Sequence, residues 1–167
     1  MKNFFMVTMM FIAMAASALD LAFTPQQMTI TGPMTLTNGI LVQPCETGIT
    51  NSGRMSCRFK VANAAEFAVA AEVRTTGPGG GSFYVNIDGE PVEPEMVWEI
   101  PVTRSFALRV ATWGRSQTNA KPGPKYFHLA AGEHELIVRG RSAGVEVRSL
   151  LVVERPAPAS HLHAGSP

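Results

Sequence analysis

The sequence predicts an all-β fold built from short antiparallel strands. Three observations point to it. Apolar and polar residues alternate with period two from Thr24 onward; 15 glycines and 12 prolines are spread over the 167 residues; and outside the N-terminal leader no segment sustains a helical period.

The strands read in order. MSCRFKV sets Met55, Cys57, Phe59 and Val61 on one face and Ser56, Arg58 and Lys60 on the other. EFAVAAEVRT turns Phe67, Val69, Ala71 and Val73 inward and Glu66, Glu72 and Arg74 outward. SFYVNIDG sets Phe83, Val85 and Ile87 against Tyr84, Asn86 and Asp88, and in RSFALRVAT the residues Phe106, Leu108 and Val110 share a side. HELIVRG and VEVRSLLVV close the series, with Glu135, Arg139, Glu146 and Arg148 as solvated-face charges. His134 alternates with Leu136 and Val138, which predicts an inward core or rim histidine.

Breaks separate these runs. TGPGGGS, DGEPVEPE and the longer polar GRSQTNAKPGPK (Gly114 to Lys125) read as connections, and AAGEH as a tight turn in which Gly132 takes positive φ. The long polar loop is the place to look for a binding site.

The N-terminus reads as a signal peptide over residues 1–18. Lys2 supplies the positive charge, an apolar run extends from Phe4 to Ala16, and Ala16-Ser17-Ala18 fits the small-x-small cleavage rule. The run is shorter than the ~20 residues of a spanning helix. The expected product is a secreted, periplasmic or cell-surface chain with no membrane span, one domain over 19–154 and a Pro-rich disordered tail over 155–167. Export permits a disulfide between Cys45 and Cys57, worth roughly 3 kcal/mol in the chain-entropy model; the alternative is two free thiols with Cys57 buried in a strand.

A net charge of +1 gives no field for nucleic acid. GxSxG and HExxH are absent, and GPGGGS leads into a strand with no following lysine, so it makes no phosphate cradle. His161 and His163 lack a third metal ligand nearby. Glu90, Glu93, Glu95 and Glu99 read as a solvated acidic loop; a hydrolase reading requires Glu95 or Glu99 to face His128 in a cleft. Trp98 and Trp113 flank the RSFALRVAT strand, with Trp113 opening the polar loop and Tyr126 closing it. An aromatic plate beside polar groups suits sugar recognition, whereas Trp98 also fits a core plug.

The order SFYVNIDG, WEIPV, FALRVATW, FHLAAGEHELIVRGRSAGVEVRSLLVV resembles the galactose-binding-like β-sandwich, especially carbohydrate-binding modules of families six and thirty-five. The shared pieces are Ser82 to Gly89, Trp98, Leu129 to Leu136, and Arg141 to Gly144, covering about half the chain. The resemblance implies an antiparallel jelly-roll β-sandwich. It also implies a non-catalytic module that binds glycan or polysaccharide, with Trp113 as stacking plate, Arg115, Asn119 and Tyr126 as polar partners, and Trp98 as a further candidate. The alternative is the same sandwich as a structural or interaction subunit among surface or matrix proteins. Such modules often hold a structural calcium; here FTPQQMTIT has no carboxylate and Arg148 stands where an aspartate is expected, so no cofactor is expected and calcium is disfavoured.

Overall fold

The computed structural model describes residues 20–75, 77–112 and 123–156. They form β1 (Asp20–Phe23), β2 (Thr29–Thr31), β3 (Thr35–Thr37), β4 (Ile40–Gln43), β5 (Arg54–Val61), β6 (Ala65–Thr75), β7 (Gly81–Ile87), β8 (Val97–Ile100), β9 (Thr103–Val110), β10 (Tyr126–Leu129), β11 (Gly132–Gly140) and β12 (Val145–Glu154). The only helical piece among the described residues is a single 3-10 turn at Pro25–Gln27, and no described helix is long and apolar enough to cross a membrane.

All strand pairs are antiparallel and fall into two sheets. The seven-stranded sheet runs β10-β6-β12-β4-β3, with β1 also on β12 and β9 also on β6; the five-stranded sheet runs β2-β5-β11-β7-β8. Their inner faces make one core. Phe67, Val69, Ala71 and Val73 of β6, with Val145, Val147, Leu150 and Val152 of β12, meet Met55, Cys57 and Phe59 of β5, Phe83 and Val85 of β7, and Leu136 and Val138 of β11. The alternation read from the sequence thus selects the buried face of β5, β6, β7 and β11.

Four details depart from that reading. First, β12 does not alternate throughout: its register with β6 shifts between Val147 and Ser149, so Arg148 is the extra residue of a bulge. Without that bulge Leu150 and Val152 would share the outer face with Arg148. Second, Phe106, Leu108 and Val110 do share a side, but it is the outer one: Leu108 is 57% and Val110 40% exposed. Phe106 is held under two guanidinium groups, Arg148 at 4.0 Å and Arg74 at 4.9 Å from its ring centre. Third, Ser56 and Tyr84 point outward yet are buried, because long charged side chains roof the five-stranded sheet. Fourth, Cys45 and Cys57 are unpaired, which corrects the expected bridge. Cys57 lies in mid-β5 facing the core, whereas Cys45 is exposed on the loop after β4, a strand of the opposite sheet. Burial, with Glu135 nearby, pushes the Cys57 thiol up to about 12, so it stays protonated.

Turn chemistry is local. The β3–β4 hairpin turns on Asn38-Gly39 with φ of 51° and 77°, the two positive values of a type I′ turn. Gly132 opens β11 at φ 145°, the positive value its turn requires.

Two buried polar side chains tie loops to the core. Gln43 is fully buried; its Nε2 donates to the Cys45 carbonyl (2.6 Å) and to Thr47 Oγ1 (3.1 Å), pinning the chain after β4. Lys125 is 1% exposed, and its Nζ donates across the sandwich to the Val85 carbonyl of β7 at 3.0 Å. Burial lowers its pKa to about 8.

Gly140 leaves room only for Gln43, since a Cβ there would meet Gln43 Oε1. Gly140→Ala should therefore destabilise the fold by ~2 kcal/mol, measured by urea denaturation, because the pinned amide cannot swing aside. Lys125 predicts a pH effect. Its folded pKa lies below the ordinary 10.5, so the unfolded chain binds the proton that the folded chain has released. Stability should rise as pH climbs from about 8 toward 10.5, and Lys125→Met should remove that rise in melting experiments.

Candidate functional site

Two clefts carry polar chemistry. The larger, about 680 Å³, runs beside β8 and the β11–β12 turn. Its wall includes the Gly79–Gly81 backbone, Ser82, Glu99, Pro101, Thr112, Arg141 and Ser142. The volume lies within the range of small-ligand sites. The polar cluster is mutually organised: Ser82 and Ser142 hydroxyls are 2.8 Å apart, and Arg141 Nη1 donates to Ser82 Oγ at 2.9 Å. Arg141 lies 5.9 Å from the Tyr84 ring centre, and Tyr84 donates its hydroxyl to Glu93 at 3.2 Å. Burial, aided by Glu93, raises the Tyr84 pKa. The β11–β12 turn is held in place from both sides, by Thr47 N donating to the Arg141 carbonyl and Ser142 N to the Ser82 carbonyl.

The second cleft, about 490 Å³, lies on the outer face of the five-stranded sheet. Arg54 donates to Glu90 (2.9 Å) and Glu135 (3.0 Å), and Arg139 donates to the other Glu90 oxygen. Burial would raise the Glu90 pKa, but the hydrogen bonds from Arg139 and Arg54 outweigh it and hold the carboxylate below its usual range. Glu135 is likewise lowered, by the Ser56 hydroxyl and then by Arg54. At the rim His134 Nδ1 lies 2.6 Å from Asp88 Oδ2, and its Nε2 lies 2.8 Å from the Ala130 carbonyl. The ring also packs on Phe59, with centres 5.7 Å apart. Asp88 adopts φ 60° and takes the Glu135 N–H on its other oxygen, so one residue joins the end of β7 to β11.

The expected site residues fall as follows. Trp113, Arg115 and Asn119 lie outside the described residues; Thr112, which precedes Trp113, is in the wall of the larger cleft. Trp98 is 1% exposed and packs in the core against Phe83, so it is withdrawn as a ligand contact: no ring face is free. Its Nε1 is buried without a partner among the described residues. Tyr126 stands on the outer face of the seven-stranded sheet with Arg155 4.5 Å from its ring centre, and lines neither cleft. His128 pairs with Glu66 at 3.1 Å, not with Glu95 or Glu99. Among the described residues no group of three or more His, Cys, Asp or Glu side chains is placed to hold a metal. Arg148 bonds Glu72 at 2.8 Å. Residues 1–18 and 157–167 of the expected leader and tail lie outside the described residues, but Arg155 is not part of a loose tail: its N–H donates to the Glu66 carbonyl at 2.7 Å and its guanidinium to the Glu66 carboxylate at 2.6 Å. Sequence reading missed Arg141, Ser82 and Ser142 as a cluster. The resemblance spans them, but nothing in their spacing brings residues about 60 positions apart together.

No protein-family model matches the chain, and no curated protein matches it in sequence. Solved structures do. A family 35 carbohydrate binding module from Clostridium thermocellum superposes with a TM-score of 0.54 at 11% identity, over 81% of this chain and 98% of that one. The C-terminal CBM6 of LamC, a marine laminarinase from Zobellia galactanivorans, gives 0.53 at 10% identity, over 80% and 98%. The fold is a carbohydrate-binding-module-like β-sandwich. The GH26-CBM35 β-(1,4)-mannanase of Podospora anserina gives 0.55 at 12% identity over 84% of this chain, which spans only 29% of that enzyme's length.

The His134 geometry carries a prediction. Asp88 and the Ala130 carbonyl only accept, so both ring nitrogens are satisfied together only in the imidazolium. The hydrogen bond to Asp88, then that to Ala130, raises the His134 pKa above the ordinary 6.5. The resulting stabilisation is fully present below that ordinary value and is lost as pH rises through the raised folded one. His134→Gln should lower the melting temperature at mildly acidic pH and converge on the parent as pH rises, and the His134 NMR titration midpoint should lie above that of a free histidine.

Proposed function

We propose that the chain is an exported, non-catalytic glycan-binding module. Glycan docks in the cleft beside β8 and the β11–β12 turn, with Trp113 as the stacking plate and Arg115 and Asn119 as polar partners. The observation that carries this reading is the joint location of Thr112 and the Arg141–Ser82–Ser142 cluster in one cleft wall. Thr112 leads directly into the Trp113 segment, and the cluster offers hydroxyls and a guanidinium to sugar hydroxyls. The shared fold with carbohydrate-binding modules supports the same reading. Fully exposed sugar–protein hydrogen bonds are weak, so binding at a single site is weak and depends on the stacking ring.

Titration of the chain with mannan, laminarin and xylan oligosaccharides, followed by tryptophan fluorescence and calorimetry, tests it. Trp98 is buried, so a sugar-dependent emission change reports Trp113. Trp113→Ala should abolish measurable binding, and Arg141→Ala should raise Kd roughly tenfold, with the melting temperature as folding control. Binding that survives both substitutions, or no response to a broad glycan array, overturns the reading.

A further inference from the structure

The larger cleft does not end at Arg141. A further hollow of about 340 Å³ opens beyond that residue, lined by Thr47, Gly48, Asn51, Tyr84 and Glu93. Arg141 and Glu46 stand in the walls of both. The two hollows lie side by side along β7. Ser82 in the first and Tyr84 in the second are two residues apart on one face of that strand, a step of roughly 7 Å. Arg141 spans the step. Its Nη1 donates to Ser82 Oγ at 2.9 Å, its Nε lies 3.8 Å from Glu93 Oε1, and its guanidinium carbon lies 5.9 Å from the Tyr84 ring centre.

We propose that the two hollows are one groove, and that it takes an internal stretch of a linear polysaccharide, several sugars long, in place of a single chain-end sugar. This inference rests on the glycan reading above. Three features favour a chain. The first is spacing. The step from Ser82 to Tyr84 is on the scale of the repeat of a glycan chain, so neighbouring sugars can occupy neighbouring hollows. The second is chemistry at the waist. A guanidinium has five N–H donors, and that of Arg141 meets only the Ser82, Glu93 and Tyr84 side chains among the described residues, which leaves donors for hydroxyls on either side of it. Past the waist the second hollow offers the Asn51 amide and the carboxylates of Glu46 and Glu93. Glu93 accepts from Tyr84 on one oxygen only, at 3.2 Å. A sugar hydroxyl that donates to a carboxylate makes a stronger bond than one between neutral groups.

The third feature is that the second hollow is built before any ligand arrives. Thr47 N donates to the Arg141 carbonyl at 2.8 Å, and Thr47 Oγ1 donates to the Gly140 carbonyl at 3.1 Å. The buried Gln43 Nε2 donates to the same Thr47 hydroxyl, and Ser52 Oγ donates to the Ile49 carbonyl at 3.1 Å. The backbone that carries Thr47, Gly48 and Asn51 is thus tied to the end of β11 and the turn that bears Arg141. A preformed wall lowers the ordering cost of each additional sugar.

Calorimetric titration of the full chain with β-1,4-manno-, β-1,3-gluco- and β-1,4-xylo-oligosaccharides, from disaccharide to hexasaccharide, tests it. In the series that binds, Kd should fall by roughly tenfold from the disaccharide to the hexasaccharide. Gly48 does not have positive φ, and a Cβ there would make ordinary contact with Asn51 Oδ1 at 3.6 Å, so Gly48→Leu narrows the second hollow without backbone strain. Gly48→Leu and Asn51→Ala should each raise the hexasaccharide Kd about fivefold, the cost of one lost hydrogen bond or its equivalent in contact. Both should leave the disaccharide Kd and the melting temperature close to the parent. A Kd independent of chain length overturns the groove and leaves glycan binding in the first hollow standing. A gain with length that neither substitution reduces does the same. No binding at any length overturns this inference together with the reading it rests on.

Discussion

The pairing of β6 with β12 is the constraint on which the remainder of the molecule depends. Nine residue pairs hold these two strands together in the middle of the seven-stranded sheet. Every other strand of that sheet is attached directly or indirectly to one of them. Their inward side chains form half of the core, from Phe67 to Val73 and from Val145 to Val152. Burying a side chain of that size is worth roughly 1.5–3 kcal/mol, so this strand pair contributes a large share of the folding free energy. The bulge at Arg148 belongs to the same pairing. It keeps both halves of β12 facing inward, and it frees Arg148 to cover Phe106 and bind Glu72.

Around that spine, loops are fastened by polar groups rather than by more apolar burial. Gln43 fixes the chain after β4, Lys125 reaches from the start of β10 to β7, and Asp88 with His134 ties the end of β7 to β11. Such ties are directional, so they set loop geometry better than apolar contact does, but they carry desolvation costs. Gln43 Oε1 and Trp98 Nε1 remain without partners among the described residues, at about 1–3 kcal/mol each where no water reaches them. The wall of the larger cleft is built from the β8 edge, the Gly79–Gly81 backbone and the β11–β12 turn. The turn in that wall is tied by hydrogen bonds to Thr47 and Ser82, which limits the ordering cost of a weakly held ligand.

Much of the architecture was legible in the residues, and the gaps have physical causes. Period two in β5, β6, β7 and β11 marks the buried face because each is packed on one side and roofed or wet on the other. The same period misleads in β9. That strand lies at the edge of the sheet, where Arg109 turns toward the core side and the apolar set turns outward. A pattern reports that two faces differ, not which of them meets the other sheet. Tyr84 shows a related gap, since an outward tyrosine is buried only because Arg141 and Glu93 from two other segments close over it. The cysteines show a third: the short separation along the chain allows a bridge, but Cys57 turns into the core from mid-β5 while Cys45 stays exposed on the loop after β4.

The sequence by itself determined the fold class, the main core strands and the Gly132 turn, because hydrophobic periodicity and the φ demand of a glycine act over a few neighbouring residues. Tertiary structure alone decided what meets across those strands: that Trp98 is core, that Lys125 is buried, that Ser82, Arg141 and Ser142 form one polar cluster, and that Leu108 and Val110 face outward. Each of these depends on strand order and register, which are set by contacts between residues tens of positions apart and leave no local signature.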